Sequence, residues 1–174
     1  MARINKGFWI WLTFSEKDNS YLEELQRKVQ LILKSPLFKP HLTLYGPFES
    51  LSDELLLFIK ELANKEKTFK LLTNKYGKKN EFFESFFIKV KASQKLIDLR
   101  KEFLRFENKQ NEFSYHPHIS LAYGKFENRF KDDLLLTVPE VKKKLHIAKF
   151  SIVKVDEKKF IWDEVMTFPF ETKN

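Results

Sequence analysis

FKPHLTLYG, residues 38–46, reads as a short strand between a proline and a glycine, and YHPHISLAYG, residues 115–124, repeats it. The shared core is Pro-His-aliphatic-hydroxyl-Leu, at 40–44 and again at 117–121. Side chains alternate between faces along a strand. His41 and Thr43 therefore share one face and Leu42 and Leu44 the other. In the second copy His118 and Ser120 stand opposite Ile119 and Leu121. Each strand anchors an apolar side and shows an imidazole and a hydroxyl to whatever lies across. Pro40 and Pro117 bias the residue before them to extended geometry. Gly46 and Gly124 follow where the chain must turn or approach closely, and they are two of only four glycines. One buried histidine beside a threonine is an ordinary hydrogen-bonded core residue. Packing alone does not require the same polar pair twice, 77 residues apart (41 to 118).

Outward from these strands the chain alternates. GFWIWLTF, 7–14, is aromatic and β-branched and predicts a first strand. Leu22, Leu25, Val29 and Ile32 predict a helix capped at Asn19 or Ser20 and stopped at Pro36. Leu55, Phe58, Ile59 and Leu62 predict a second helix, capped at Ser50 or Ser52. Residues 68–76 and 81–91 read as strands joined through YGKKN, with Gly77 expected to supply a positive φ for a hairpin turn. Leu96, Leu99, Phe103 and Phe106 predict a third helix, followed by a polar loop over 107–115. Pro139 interrupts 128–145, with a short helix to one side, and 147–155 and 159–168 read as closing strands. The order is mixed α+β. The repeat is far too long for a solenoid period and points to two similar halves. At 174 residues the chain is expected to form a single domain, 1–174, made of two lobes.

Composition narrows the function. Apolar residues make up 43% of the chain, 19 of them Phe, enough for a large aromatic core. No run of 18 apolar residues exists, so no membrane-crossing helix is expected. MARINKGFWIW lacks the pattern of a secretory leader. A cytoplasmic protein with no membrane association and no obligate protein partner, acting as a monomer, is the expectation. Cysteine is absent, which excludes disulfides, a thiol nucleophile and a cysteine zinc site. The net charge of +8 favours anionic partners such as phosphate esters or RNA, or reflects a lysine-rich composition with no particular partner. The KKK run at 142–144 reads as a solvated face and His146 as a surface or edge residue.

Two imidazoles facing across a cleft form an acid–base pair near neutral pH. The two hydroxyls are donors for the non-bridging oxygens of a phosphate. The set suits in-line displacement at phosphorus and needs no metal or other cofactor. His116-Pro117-His118 has an H-x-H spacing that some metal sites use, but no acidic residue lies close in sequence to complete a ligand set. Tyr45, Phe48, Phe113 and Tyr115 flank the motifs and could stack on a base. Lys39, Lys125 and Arg129 could draw in phosphates.

HLTL and HISL resemble the paired His-x-Thr/Ser-x signatures of the two-histidine (2H) phosphoesterase superfamily. The longer matches, FKPHLTLYG and YHPHISLAYG, are most similar to its cyclic phosphodiesterase branch. The opening FWIWLTF strand and the closing KFSIVKVDEKKFIWDEVMTFPF also fit that layout. The resemblance implies a bilobal α+β fold with two antiparallel sheets and flanking helices, related by a pseudo-twofold axis around a central cleft. It implies hydrolysis of 2',3'-cyclic nucleotides or RNA ends to 2'-phosphates, or of ADP-ribose 1'',2''-cyclic phosphate. On that resemblance His41 and His118 are the acid–base pair, Thr43 and Ser120 bind phosphate, and Tyr123 contacts substrate. Trp11 matches an aromatic near the cleft, and Tyr115 is a further substrate-binding candidate. Other chemistries stay open: trimming RNA 3' ends, a 2'-5' RNA ligase-like reaction, cleavage of 2'-5' oligoadenylate or cyclic dinucleotides, or non-catalytic RNA or nucleotide binding. Plant members of the branch carry disulfides, which this cysteine-free chain cannot form.

Overall fold

The computed structural model describes residues 6–110 and 115–172, so Phe113 lies outside the described residues. Its elements run β1 (Lys6–Phe14), α1 (Glu16–Leu33), β2 (Leu42–Phe48), α2 (Asp53–Lys65), β3 (Phe69–Lys78), β4 (Phe86–Val90), α3 (Gln94–Phe106), β5 (His118–Ala122), α4 (Asn128–Thr137), β6 (Lys144–Asp156) and β7 (Ile161–Pro169). Serine hydroxyls at Ser15, Ser52 and Ser93 accept from the first turns of α1, α2 and α3, satisfying donors that a helix start leaves free. The cap of α1 is Ser15, not Asn19 or Ser20. Lys34 ends that helix in a left-handed conformation before Pro36 is reached.

All strand pairs are antiparallel, in the order β2-β1-β6-β3-β4-β5, with β7 also on β6. β3 changes partner along its length. Phe69–Leu72 pair with β6, and Thr73–Lys78 pair with β4, with an irregularity between Thr73 and Tyr76. That switch divides the strands into two sheets. β1 occupies one edge of β6, while β3 and β7 share the other end to end.

The strand order ends on the two motif strands, and β2 and β5 come into contact. The sheets therefore curl until their free ends face one another. β1-α1-β2 and β4-α3-β5 are the same unit: a strand, a helix and a returning antiparallel neighbour. α1 packs against β5 and α3 against β2, so each helix covers the other half's motif strand. This exchange is the pseudo-twofold relation. Leu42, Leu44, Ile119 and Leu121 join one core with Ile10, Leu12, Phe86, Ile88 and the helix stripes.

Gly77 does not turn the chain, contrary to the expectation from YGKKN. It lies inside β3, and the glycines with positive φ are Gly7, Gly46 and Gly124. Glycine is needed there because a Cβ would sit 2.5 Å from the Phe87 ring on β4. The connection runs over 79–85, so β4 begins only at Phe86. β6 begins earlier than its composition suggests, at Lys144, because Lys144–Ile147 pair with β3. Lys142 is not simply solvated: its Nζ ion-pairs with Asp18, a buried carboxylate on α1. Asp18 also accepts from the backbone N–H of His146 at 2.7 Å and from its Nδ1 at 2.9 Å. His146 is exposed as expected, yet it helps to tie α1 to β6.

Candidate active site

A cavity of about 270 Å³ opens between the motif strands, and His41, Thr43, His118 and Ser120 all line it. The two imidazoles are held by the same device. His41 Nδ1 lies 2.7 Å from the Lys39 carbonyl and His118 Nδ1 lies 3.1 Å from the His116 carbonyl. In each copy the ring reaches back across the proline to the oxygen two residues upstream. A carbonyl only accepts, so Nδ1–H donates and the tautomer is set. Nε2 is then the nitrogen each ring offers to the cavity.

Their surroundings differ. His41 is 5% exposed and lies flat on Trp11, with ring centroids 3.3 Å apart and planes 3° from parallel. Burial pushes its pKa down to about 3, against the raising effect of the Lys39 carbonyl, and His118 depresses it further. His41 is thus neutral near pH 7, with an Nε2 lone pair facing inward. His118 is only partly buried and meets the edge of Phe87 at 5.4 Å.

Tyr123 closes the wall beside His41. Its hydroxyl lies 3.4 Å from His41 Nε2, and its ring stacks on Phe38 at 3.7 Å. Its backbone N–H donates to Ser35 Oγ at 2.9 Å, fixing the end of β5 to the segment after α1. Burial raises the phenol's pKa, so it stays protonated. Ser120 Oγ donates to the Phe83 carbonyl at 2.7 Å and must rotate to donate to a ligand. That carbonyl belongs to the 79–85 connection, which Lys131 holds. Lys131 is fully buried on α4, and its Nζ donates to the Lys79 carbonyl and to Asn80 Oδ1.

Trp11 and Tyr123 thus join the four motif residues, but Tyr115 does not line the cavity. Its hydroxyl donates to the Thr43 carbonyl at 3.0 Å, and Arg100 covers its ring at 5.0 Å. Tyr115 fastens the outer edge of β2, where Arg100 also donates to the Leu44 carbonyl. Tyr45 and Phe48 are core residues. Lys39 pairs with Glu164 and Arg129 with Glu127, and neither they nor Lys125 line the cavity. Among the described residues no three His, Asp or Glu side chains cluster as a metal set.

The cavity also holds residues that were not anticipated: Trp9, Phe83, Glu84, Val155, Glu157 and Trp162. The alternation in FWIWLTF puts Trp9 on the face of Trp11, so Trp9 was within reach of strand periodicity. Trp162 and Glu157 carry no local signal. They arrive because β7 pairs with β6 and β6 with β1.

The sequence model of the 2'-5' RNA ligase superfamily matches residues 15–159, a span that contains both motifs. A Bacillus cytotoxicus protein, provisionally named a phosphoesterase, is 32% identical over 90 residues, which are 49% of this chain and 52% of that protein. The chain thus spans about half the length of the curated relative it matches. A solved structure from Thermus thermophilus superposes with a TM-score of 0.64 at 18% identity, covering 96% of this chain and 99% of the other. Escherichia coli LigT solved with phosphate gives a TM-score of 0.61 at 14% identity, covering 97% and 99%. LigT solved with 3'-AMP gives 0.62 at 14%, covering 95% and 98%. At these identities the likeness is one of fold.

Proposed function

Because the chain belongs to the 2'-5' RNA ligase superfamily, we propose that its cavity opens a cyclic phosphodiester by acid–base catalysis between His41 and His118, without a metal ion. The substrate is a 2',3'-cyclic nucleotide or RNA end, hydrolysed to the 2'-phosphate, or ADP-ribose 1'',2''-cyclic phosphate. The observation that carries this reading is the repeated Nδ1–carbonyl bond, which turns both Nε2 atoms to one cavity beside two hydroxyls. LigT, which shares the fold, was solved with phosphate and with 3'-AMP; this supports a nucleotide phosphate as ligand.

In this reaction His41 Nε2 takes a proton from water. The water oxygen bonds to phosphorus while the bond to the 3'-oxygen breaks. Protonated His118 gives its proton to that oxygen, and Thr43 and Ser120 donate to the non-bridging oxygens. An imidazole with a pKa of about 3 is a weak base. The entering phosphate corrects this, because a nearby negative charge favours the protonated ring. Base strength then appears only when substrate is bound.

The test is turnover in EDTA of 2',3'-cyclic phosphates, both as mononucleotides and at the end of a short RNA, and of ADP-ribose 1'',2''-cyclic phosphate. His41→Ala and His118→Ala should each cost about 10²–10⁴-fold in rate. Turnover of neither substrate class by the wild type would sink the proposal. Activity that survives both substitutions would remove the histidines from it, and loss of activity in EDTA would point to a metal.

A further inference from the structure

A second concavity, of about 930 Å³, opens where β3 passes from β6 to β4. Lys75, Lys89, Lys91, Lys143 and Lys144 line it against a single carboxylate, Glu140. All five lysines are exposed. Among the described residues none of the five forms an ion pair, whereas Lys78, Lys79 and Lys142 close by in sequence each hold a carboxylate. Five uncompensated like charges around one groove repel each other and form a positive field suited to a polyanion.

The groove adjoins the candidate site. Lys89 stands directly opposite His118 in the β4–β5 ladder, and residues paired across such a ladder project from the same face. The Lys89 stem crosses over Gly77, where an added Cβ would lie 2.9 Å from Lys89 Cε. A basic track therefore leaves the cavity at His118, passes Phe87 and Gly77, and enters the groove. The floor there includes Leu72, Tyr76 and Val138.

We propose that this groove binds the phosphodiester backbone of a single-stranded RNA whose terminal cyclic phosphate lies between His41 and His118. The inference rests on the phosphoesterase reading of the cavity, adds a second anion site outside it, and favours the RNA end among the substrates named above. A cyclic mononucleotide bound between the two histidines leaves the five lysines without a counter-charge. A strand running 5' from the terminal nucleoside places further phosphates along them.

The experiment compares wild type with K75E/K91E/K143E, and with K75Q/K91Q/K143Q should the charge reversal disturb folding. Two readouts are taken: filter binding of a short single-stranded RNA at several salt concentrations, and kcat/KM for that RNA with a 2',3'-cyclic end beside a cyclic mononucleotide. Losing three phosphate contacts should reduce the log–log salt slope of RNA binding by roughly 2 and lower kcat/KM for RNA by about tenfold or more. The mononucleotide value should stay within about twofold, because steering by the groove acts on the strand. RNA binding that is unchanged in the variant overturns the proposal, as does an equal fall for both substrates. Lysine-dependent binding to phosphatidylserine vesicles, with none to RNA, overturns it too. Lysine-dependent RNA binding without turnover of either substrate leaves the groove standing and removes the hydrolase reading alone.

Discussion

His41 is neutral near pH 7 because its burial, against Trp11, outweighs the pull of the Lys39 carbonyl. The same burial makes the fold sensitive to acid. The unfolded chain protonates this ring near its ordinary value of 6.5, but the folded chain waits until about 3. The unfolded state therefore binds the extra proton, and His41 lowers stability as pH falls from 6.5 towards 3. His41→Gln should flatten that loss, as read by urea unfolding at stepped pH; an unchanged slope would contradict the burial argument. NMR of the ring should also show its pKa rising when inorganic phosphate is added. The pair of His and hydroxyl side chains was legible in the sequence because the same five-residue pattern occurs twice, and alternation alone assigned their faces. Phe38 was not singled out, although it opens the first motif. With 19 Phe in the chain, nothing local distinguishes the one that stacks on Tyr123.

Among the elements, α1 depends on one carboxylate. Burial alone would raise the pKa of Asp18, but Lys142 and His146 hold it below the usual 3.8. Its contribution is present above that value and is lost as pH falls through the lower folded one. Asp18→Asn should cost about 2–3 kcal/mol in urea unfolding, since hydrogen bonds to a charged acceptor are replaced by weaker ones. A loss of less than half that would mean that solvent already screens the partly exposed partners. Gly77→Ala makes a sharper case. The new methyl overlaps the Phe87 ring, and that ring packs against His118. Overpacking costs about 1–3 kcal/mol, and kcat should fall with stability although no group that touches substrate has changed. Full activity in this variant would show that Phe87 does not position His118. α1, α2 and α3 were readable from their apolar spacing, whereas for α4 the sequence offered only a short helix on one side of Pro139. The start of β6 was not, because Lys144 and His146 read as surface until β3 is placed beside them. Gly77 was misread because YGKKN has the composition of a turn, while its real constraint comes from a ring on another strand.

At the scale of the whole molecule, β6 pairs with β1, β3 and β7, so both sheets hang on one strand. The two halves should unfold together, with calorimetric and van't Hoff enthalpies equal; two resolved transitions would mean that the lobes are separate domains. Two similar halves could be inferred from the repeated motif. The partner switch in β3 and the crossing of α1 and α3 could not, because both depend on which distant strands meet, and no local pattern encodes that. The same topology gathers Trp9, Trp11 and Trp162 around the cavity, and these are all the tryptophans in the chain. Every indole therefore borders one chamber, and one of them lies flat on His41. The unlabelled protein is its own optical sensor: any occupant, or a proton arriving on that imidazole, will register in its ultraviolet fluorescence.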